Sequence, residues 1–514
     1  MKIVKPFLRN IMLYMVAAVL LSSIATAQVN SEIDTDRIQI RAIESIGDFR
    51  TFLAIPNDAL KLDDIQKNLA WCDVNLASRG FNIKVWKTET RPILFAQKIG
   101  EAGLPTVLFY FHIDGQSVDP QFWYQDNPYE AVLKKSVEGE GWVDMDWSEL
   151  SIDNYNPDWY MFARSASDSK NNLMMFITAL DILHEEGKEL PYNLKLVLDF
   201  EEEKSSPSLA GAVIQHKDTL SADMLVIYDG PRHISNEPTL AFGARGIAGV
   251  TMTVYGPVFP QHSGHYGNYA PNPALRLSQL LASMKDEDGR VLIEGFYDGI
   301  TFDEKTLAVL NAVPDNEAVI QAKLGFKGAD KVADTYQKAL QYPSLNIKGM
   351  LSGWVGAETR TIVPAKATVE MDIRLVVESD PERLLQLLRE HIENEGYHII
   401  DHKPTQRERL TYPKICRMSS SVSYQAFRTE FDTPIGNWLT KAMRNAFNKE
   451  PVRTRTMGGS IPIAPFIQTL DVPAVVVPTA NRDNNQHSPN ENIRLGNYVE
   501  GVQALYSILS TPID

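Results

Sequence analysis

Four apolar runs in this chain each lead into a polar side chain that can bind a metal ion. The runs and the side chains after them are 106–111 with His112, 194–200 with Glu201, Glu202 and Glu203, 224–228 with Asp229, and 472–477, after a polar loop, with His487. Short apolar runs bounded in this way are typical of buried strands. Functional groups gather beyond the carboxyl ends of parallel strands, so we expect these side chains to converge in one crevice.

Strand-like and helical segments alternate along the first part of the chain, which predicts an α/β fold with a mainly parallel sheet. The pattern changes after Gly243-Ala-Arg245-Gly246, where 247–255 alternates like a half-buried strand and 273–284 has helical periodicity. The helical stretch 435–447 then returns to the first pattern. We therefore predict a leader of residues 1–27 and a large α/β domain of residues 28–243 and 421–514, interrupted by an inserted α+β domain of residues 244–420.

The first residues have the pattern of a secretory signal peptide. Lys2, Lys5 and Arg9 precede an apolar segment at 11–24, and Ala25-Thr26-Ala27 supplies the small residues of a cleavage site. An uncleaved membrane anchor is the alternative, but the apolar segment is short for a span of about 20 residues. We expect cleavage after Ala27, no stable membrane insertion afterwards, and a periplasmic or secreted protein.

Composition limits the partners and the kind of metal site. A mature chain of about 490 residues predicts two or three domains. Loss of the leader takes the formal charge from −15 to −18, because residues 1–27 hold three basic residues and no acidic one. Such acidity disfavours nucleic acid as a partner. Only Cys72 and Cys416 are present, too few for a disulfide framework or a cysteine-based zinc site, although one bridge between them stays open.

Eight motifs follow one another in an order that resembles a known family. They are His112-Ile-Asp114-Gly-Gln116, Ser167-Asp168-Ser-Lys170, Glu202-Glu203 before Ser205-Ser206-Pro207, Asp229, His262-Ser-Gly264, Arg374, Gly458-Gly-Ser-Ile-Pro462 and His487-Ser-Pro-Asn-Glu491. The family is the di-zinc metallopeptidases of family M20, which includes carnosinase-type dipeptidases, glutamate carboxypeptidase, acetylornithine deacetylase and succinyl-diaminopimelate desuccinylase. The resemblance covers nearly all of the mature chain.

The resemblance implies two Zn²⁺ ions per subunit, and the residue types suit zinc, which accepts imidazole nitrogen and carboxylate oxygen. The implied ligands are His112, Asp168 and Asp229 for one ion and Asp168, Glu203 and His487 for the other. Asp114 is implied to orient the ring of His112. Glu202 is implied to be the general base that takes a proton from the attacking water.

Three consecutive glutamates leave the position of the base open by one residue. Counting back from Ser206-Pro207-Ser-Leu209, which matches a stretch in the relatives, places the functional pair at Glu202 and Glu203. Glu201 then has no catalytic role. A solvated acidic loop is the structural alternative, but the run directly follows a buried-type strand.

The inserted domain is implied to be a lid that also forms a homodimer. In relatives the residue matching His262 reaches across the dimer interface to stabilise the oxyanion, and the residue matching Arg374 grips the substrate carboxylate, a task suited to a guanidinium. Gly459 and Ser460 lie in a loop whose backbone can approach the substrate closely. A surface-loop histidine and a structurally paired arginine are the alternatives.

Three loop positions depart from the usual pattern of the relatives. Gly-Arg-Gly before the shared aspartate is Ala163-Arg164-Ser165 here, Lys-Gly after it is Lys170-Asn171, and the glycine after the glutamate pair is Ser205. None of the changes removes a ligand. We therefore expect activity with a different loop shape and, through it, a different substrate choice.

Other classes of protein fit the chain less well. Ser167-x-x-Lys170 matches the nucleophile motif of penicillin-binding proteins, but no Lys-Thr-Gly occurs in the sequence. A His-Glu-x-x-His motif is absent as well. A binding protein with a relic site is disfavoured because every implied ligand is present. We therefore predict an exported zinc hydrolase that cleaves dipeptides or small peptides, in the manner of a dipeptidase or carboxypeptidase. The alternative is a deacylase of N-acyl amino acids.

Overall fold

The computed structural model describes residues 33–513, so the leader predicted at 1–27 lies outside the described residues. The strands are β1 (Asn82–Trp86), β2 (Ile93–Lys98), β3 (Thr106–His112), β4 (Val132–Val137), β5 (Gly141–Met145), β6 (Trp159–Phe162), β7 (Asn193–Asp199), β8 (Met224–Ile227), β9 (Thr239–Ala241), β10 (Gly243–Ala244), β11 (Gly246–Tyr255), β12 (Gln261–His262), β13 (Ser344–Leu351), β14 (Ile362–Val363), β15 (Lys366–Leu375), β16 (His398–Ile400), β17 (Ile415–Tyr424), β18 (Phe427–Arg428), β19 (Val452–Thr454), β20 (Ala474–Val476) and β21 (Asn492–Arg494). The helices are α1 (Thr35–Leu53), α2 (Leu62–Ala77), α3 (Lys170–Glu185), α4 (Leu209–Gln215), α5 (Lys217–Leu220), α6 (Ser263–Tyr266), α7 (Pro273–Met284), α8 (Glu304–Asn311), α9 (Glu317–Leu324), α10 (Tyr336–Ala339), α11 (Pro381–Asn394), α12 (Gln406–Thr411), α13 (Pro434–Phe447), α14 (Ala464–Leu470) and α15 (Leu495–Ser510).

An eight-stranded sheet forms the centre of the molecule, with the order β1-β2-β7-β3-β8-β20-β9-β19. Its four middle strands, β7, β3, β8 and β20, run parallel to one another, and they are the four strands predicted from the apolar runs. Antiparallel pairs occur toward the two edges. The predicted mainly parallel α/β sheet is therefore confirmed.

Strand β3 is apolar throughout because both of its faces are covered. Phe109 and Phe111 face helix α3, where both rings pack against Phe176. Tyr110 faces the other way and packs against Phe466 of helix α14. Helices on both faces leave only the strand ends open, and this is where the polar side chains follow.

A separate five-stranded sheet, ordered β13-β15-β11-β17-β16, draws all of its strands from residues 246–424. Strand β11 alternates between buried and half-buried positions, as its sequence predicts. The buried face packs against helices α7 and α11, whose Leu277 and Leu388 belong to the same core. This is the expected α+β unit. Strand β17 runs on to Tyr424, so the domain limits at 243 and 420 stay a prediction.

A four-stranded sheet, ordered β21-β6-β4-β5, was not predicted from the sequence. It pairs β21, near the end of the chain, with β6, which leads toward Asp168. Both cysteines are buried and free, so the possible Cys72–Cys416 bridge does not form. Among the described residues, no helix combines the length and the apolar character that crossing a membrane requires.

Candidate metal centre

The side chains predicted as metal ligands gather at one edge of the central sheet. His112 is the last residue of β3, Asp229 follows β8, and Glu203 lies in a 3₁₀ turn after β7. Asp168 precedes helix α3, and His487 lies in the loop after β20. Three parallel strands and two loops thus supply the site, as the arrangement of strand ends predicts.

The five side chains form two groups that share Asp168. In the first group, His112 Nε2 lies 3.1 Å from Asp168 Oδ1 and 3.5 Å from Asp229 Oδ1. In the second group, His487 Nε2 lies 3.1 Å from Asp168 Oδ2 and 3.2 Å from Glu203 Oε2. Within each group the candidate ligand atoms lie within 4.8 Å of one another. These are the two ligand sets that the family resemblance implies.

The electrostatics of the site favour bound cations. Burial raises the pKa of Glu202 well above its usual range and raises that of Glu203 to about 8. The Asp168 carboxylate beside it raises the pKa of His487 to about 9. Burial alone lowers the pKa of His112, but the aspartates around it raise it well above its usual range. Several carboxylates share a small buried volume, where each one disfavours the charged form of the next.

Unpartnered atoms in the same place show that the residues fit a metal. His112 Nε2 and Asp168 Oδ2 are buried and have no hydrogen-bond partner within the described residues. A buried polar atom without a partner is costly, and bound metal ions resolve it. Imidazole nitrogens and carboxylate oxygens in two groups of three are donors that suit a pair of divalent metal ions.

Asp114 ties the glutamate turn to the first group. Its two oxygens accept hydrogen bonds from the backbone N–H groups of Glu202 and Glu203, each at 3.0 Å. Its Oδ1 also lies 3.7 Å from His112 Nδ1, which is ion-pair distance and longer than a hydrogen bond. Gln116 donates to Glu203 Oε2 at 2.7 Å. The segment 112–116 therefore contains the candidate ligand His112. It also fixes the turn that carries the candidate ligand Glu203 and Glu202, the glutamate implied as base.

Glu201 points elsewhere. Its carboxylate accepts a hydrogen bond from the hydroxyl of Thr90, and its N–H donates to Asp199 Oδ1 at 3.0 Å. Glu203, by contrast, lies within the second group of ligands. This arrangement agrees with the register chosen from the sequence, while the role of Glu202 as base stays a prediction.

The sequence motif ending in Glu491 has a structural role that its spacing did not reveal. The buried carboxylate accepts hydrogen bonds from the N–H groups of Ser165, Ser167 and Asp168, at 3.1, 2.9 and 2.9 Å. Arg164 Nη1 donates to the same carboxylate at 2.6 Å. Glu491 thereby fixes the loop that presents the shared aspartate.

The alternative of a penicillin-binding protein is wrong, because Ser167 and Lys170, its implied nucleophile and base, do not contact each other. Ser167 Oγ donates to Glu491 Oε1 at 3.0 Å. Lys170 Nζ instead donates to the carbonyl oxygens of Phe52 and Ile55, at 2.8 and 2.6 Å. The Ser-x-x-Lys spacing therefore produces no nucleophile and base pair here.

The residues predicted for substrate binding lie together at the junction with the inserted unit. Arg374 Nη1 donates to Ser460 Oγ at 2.9 Å, and the carbonyl of Gly459 accepts a hydrogen bond from the N–H of Arg245 at 3.2 Å. His262 is exposed, and its Nδ1 accepts a hydrogen bond from Gly264 N at 3.0 Å. Within the described part of one chain, His262 belongs to neither group of candidate ligands.

Asn172 is a buried residue beside the site that the sequence reasoning missed. Its Nδ2 donates to Ser169 Oγ at 2.8 Å and to the carbonyl of Tyr228 at 3.1 Å. Each of these acceptors is next in sequence to a candidate ligand, Asp168 or Asp229. One amide therefore sets the spacing of two ligands in the first group. Its signal in the sequence is weak: two adjacent amides at the start of an apolar helix.

Asn172→Leu should weaken metal binding about 10- to 100-fold, the loss typical when a residue that orients a ligand is removed. Metal titration of the stripped protein, followed by metal analysis, measures this effect directly. Asn193→Leu is the matched control, because Asn193 is also buried and its Nδ2 donates to the Leu104 carbonyl at 2.9 Å, at the opposite end of β7 from the candidate ligands. Equal losses in both variants would contradict a positioning role for Asn172.

Two groups of candidate metal ligands share Asp168 at the carboxyl edge of an α/β sheet. This arrangement is typical of a metal-dependent hydrolase. The sequence model of Peptidase family M20/M25/M40 matches residues 108–511. The chain belongs to this family, so the resemblance stated from its motifs is confirmed, and the protein is a metallohydrolase.

Three known proteins illustrate what the chain is similar to. Cys-Gly metallodipeptidase DUG1 of Saccharomyces cerevisiae is 24% identical over 489 residues, covering 92% of this chain and 93% of that protein. The Beta-Ala-His dipeptidase of Mus musculus is 26% identical over 421 residues, covering 80% of this chain and 77% of that protein. The crystal structure of the M20 family metallo-carboxypeptidase Sso-CP2 from Sulfolobus solfataricus superposes with a TM-score of 0.73 at 24% identity, covering 91% of this chain and 99% of that one.

Proposed function

We propose that this protein is an exported di-zinc dipeptidase that acts as a homodimer. One observation carries the proposal: two groups of candidate ligands share the buried Asp168, and the turn that supplies Glu203 to one group also carries Glu202. A nucleophilic water and a proton acceptor beside it are what amide hydrolysis requires.

A metal pair held by these ligands would polarise the substrate carbonyl and lower the pKa of the attacking water. Glu202 takes the proton of the attacking water and later delivers it to the leaving amine. Asp114 accepts a hydrogen bond from the Glu202 N–H. This contact holds Glu202 beside the two groups of candidate ligands. Burial raises the pKa of Glu202, and bound cations beside it would act in the opposite direction and favour the carboxylate that accepts the proton.

Dipeptides are the substrates that the contacts at the junction favour. Arg374 and Ser460 are hydrogen-bonded to each other and offer a guanidinium and a hydroxyl to a carboxylate. Both sequence relatives described above are dipeptidases, which supports a dipeptide over an N-acyl amino acid. A screen of dipeptides against N-acyl amino acids, with release of free amino acid as the readout, tests this choice.

The surface around His262 supports assembly with a second copy. Val258, Phe259 and Tyr269 are 61%, 72% and 86% exposed, and all three lie within a few residues of His262. Apolar side chains clustered on a surface mark an interaction site. A second chain packed there covers these side chains and carries His262 toward the partner's metal groups.

Export rests on the leader. Three basic residues, an apolar segment and Ala25-Thr26-Ala27 form a cleavable signal, and the acidic remainder suits a protein released from the membrane. Mass spectrometry of the protein recovered from the producing cells should find Gln28 at the amino terminus.

Removal of metal should abolish activity without unfolding the protein. Treatment with a chelator followed by dialysis should lower the dipeptide hydrolysis rate to background, and Zn²⁺ should restore it at two ions per chain. Metal analysis of the active protein checks the stoichiometry, and parallel addition of Mn²⁺ and Co²⁺ checks the identity of the metal, since the same ligands accept them. Full activity in folded protein that contains no metal would contradict the proposal.

A further inference from the structure

Asp199, the last residue of β7, carries a buried carboxylate that belongs to neither group of candidate ligands. The residue is only 2% exposed, and the parallel strand beside it fixes its backbone. Asp199 pairs with His112 of β3, and its carbonyl accepts a hydrogen bond from the N–H of Ile113 at 2.8 Å. The side chain therefore extends from a rigid part of the central sheet.

The carboxylate of Asp199 holds both ends of the turn that follows it. Its Oδ1 accepts a hydrogen bond at 3.0 Å from the N–H of Glu201, where the turn begins. Its Oδ2 accepts one at 2.5 Å from the hydroxyl of Ser206, where the turn ends, and another at 3.0 Å from the hydroxyl of Tyr110. The glutamate implied as base and the candidate ligand Glu203 lie between the two attached ends.

The turn depends on such attachment because its backbone is unfavourable at one end. Ser205 and Ser206 have φ angles of 72° and 42°, in the left-handed region that residues other than glycine rarely adopt. Backbone of this kind persists where the contacts around it impose it. The N–H of Ser206 donates to the carbonyl of Glu201 at 2.9 Å, and Asp114 binds two N–H groups in the middle of the turn. Asp199 adds the side-chain contact that holds both ends to the sheet.

We propose that Asp199 is a positioning residue that sets the place of Glu202 and Glu203 and thereby the affinity of the second group for its metal ion. It acts through the turn and is not itself a ligand. The first group takes no ligand from the turn, so its ion should not respond to a change at Asp199. The inference rests on the proposed function for the role of Glu202, while the effect on metal affinity does not require it.

Two variants that each remove one hydroxyl from Asp199 Oδ2 test the proposal. Ser206→Ala releases the end of the turn, whereas Tyr110→Phe removes a partner that lies on β3, outside the turn. Competition between the Zn²⁺-loaded protein and a chelator measures the affinity for each ion. Ser206→Ala should weaken the binding of one ion about 3- to 10-fold, the effect of one lost hydrogen bond, and Tyr110→Phe should leave both nearly unchanged. Equal effects of the two variants would overturn the inference.

Double variants show which ion responds. Glu203→Gln replaces a ligand of the second group alone, and Asp229→Asn replaces one of the first group alone. Adding Asp199→Leu, which removes all three hydrogen bonds, should weaken the remaining Zn²⁺ about 10- to 100-fold in the Asp229→Asn protein. In the Glu203→Gln protein the same addition should leave the Zn²⁺ affinity unchanged, since the two changes act on the same ion. Weakening of similar size in both backgrounds would show a general structural role and overturn the inference.

Kinetics with saturating Zn²⁺ give a readout that a loss of stability alone does not move. Asp199→Leu should lower kcat for a dipeptide about 100-fold, as misplacement of a catalytic group does, and leave KM nearly unchanged because Arg374 and Ser460 lie on other segments. Asp199→Asn should recover most of the loss, since its amide oxygen still accepts from Glu201 and its amide nitrogen donates to the hydroxyl of Ser206.

The two readouts separate this inference from the proposed function. If the unchanged protein hydrolyses no dipeptide, the proposed function fails, and the Zn²⁺ affinities still decide the role of Asp199. If dipeptides are hydrolysed but Asp199→Leu changes neither kcat nor the affinity of the second group, only the present inference fails. If Asp199→Leu does not fold, the comparison of Ser206→Ala with Tyr110→Phe decides, because each of these variants removes a single hydroxyl.

Discussion

Replacing Glu202 with glutamine should leave metal binding intact and lower kcat by roughly two to four orders of magnitude, the range for losing a general base. Glutamine keeps the shape of the side chain and cannot accept the proton. The five candidate ligands do not include Glu202. Metal analysis should therefore find the same number of ions per chain as in the unchanged protein, and steady-state hydrolysis of a dipeptide measures the loss.

Glu201→Gln is the matched control, because it makes the same chemical change one residue earlier. The Glu201 carboxylate accepts a hydrogen bond from Thr90 and lies outside both groups of candidate ligands. We expect its kcat to stay within a few-fold of the unchanged protein. An inactive Glu201→Gln beside an active Glu202→Gln would show that the register of the glutamate run is wrong by one.

The central strands and their ligands could be predicted because one physical cause produces both signals. A strand covered on both faces must be apolar throughout, as β3 is, so its end is marked by the first polar residue. His112 and Asp229 follow such runs. The alternation in β11 gave the second sheet in the same way, since one of its faces packs on a core and the other does not.

The residues that hold these ligands in place left little trace in the sequence. Glu491 reaches the loop of Asp168 across 323 positions, and most of its partners are backbone N–H groups, which every residue offers. Asn172 binds the carbonyl of Tyr228, another group without a sequence signature. Contacts of this kind depend on how distant segments approach, which no local pattern encodes.

Two of the departures from the family pattern lie at positions where the backbone is left-handed. Ser165 and Ser205, which replace glycines of the relatives, have φ angles of 63° and 72°. Glycine adopts this left-handed region without cost, whereas other residues lose roughly 1 kcal/mol or more there. Ser165 gains a compensating contact, since Asn57 Nδ2 donates to its hydroxyl at 2.8 Å. The two serines therefore occupy backbone positions that favour glycine, and whether the loops differ in shape from those of relatives stays a prediction.

Replacing His262 with alanine should leave both metals bound and lower kcat roughly 10²- to 10³-fold, the usual result of losing one oxyanion donor. In its own chain the side chain is exposed and belongs to neither group of candidate ligands, so we expect it to reach a metal group of a second copy. His265→Ala is the matched control, because the rings of the two histidines lie 4.8 Å apart on the same surface. We expect that variant to stay active.

Mixing two inactive proteins distinguishes action across the interface from action within one chain. In a dimer of His262→Ala with Glu202→Gln, a histidine that acts on the partner completes one site, which then holds both original residues. Random exchange of equal amounts makes half of the dimers mixed, so activity should recover to roughly a quarter of the unchanged protein. If His262 serves its own chain, every site keeps one lesion. Activity that stays at the level of the separate variants, after mass spectrometry has shown that mixed dimers form, would therefore exclude action across the interface.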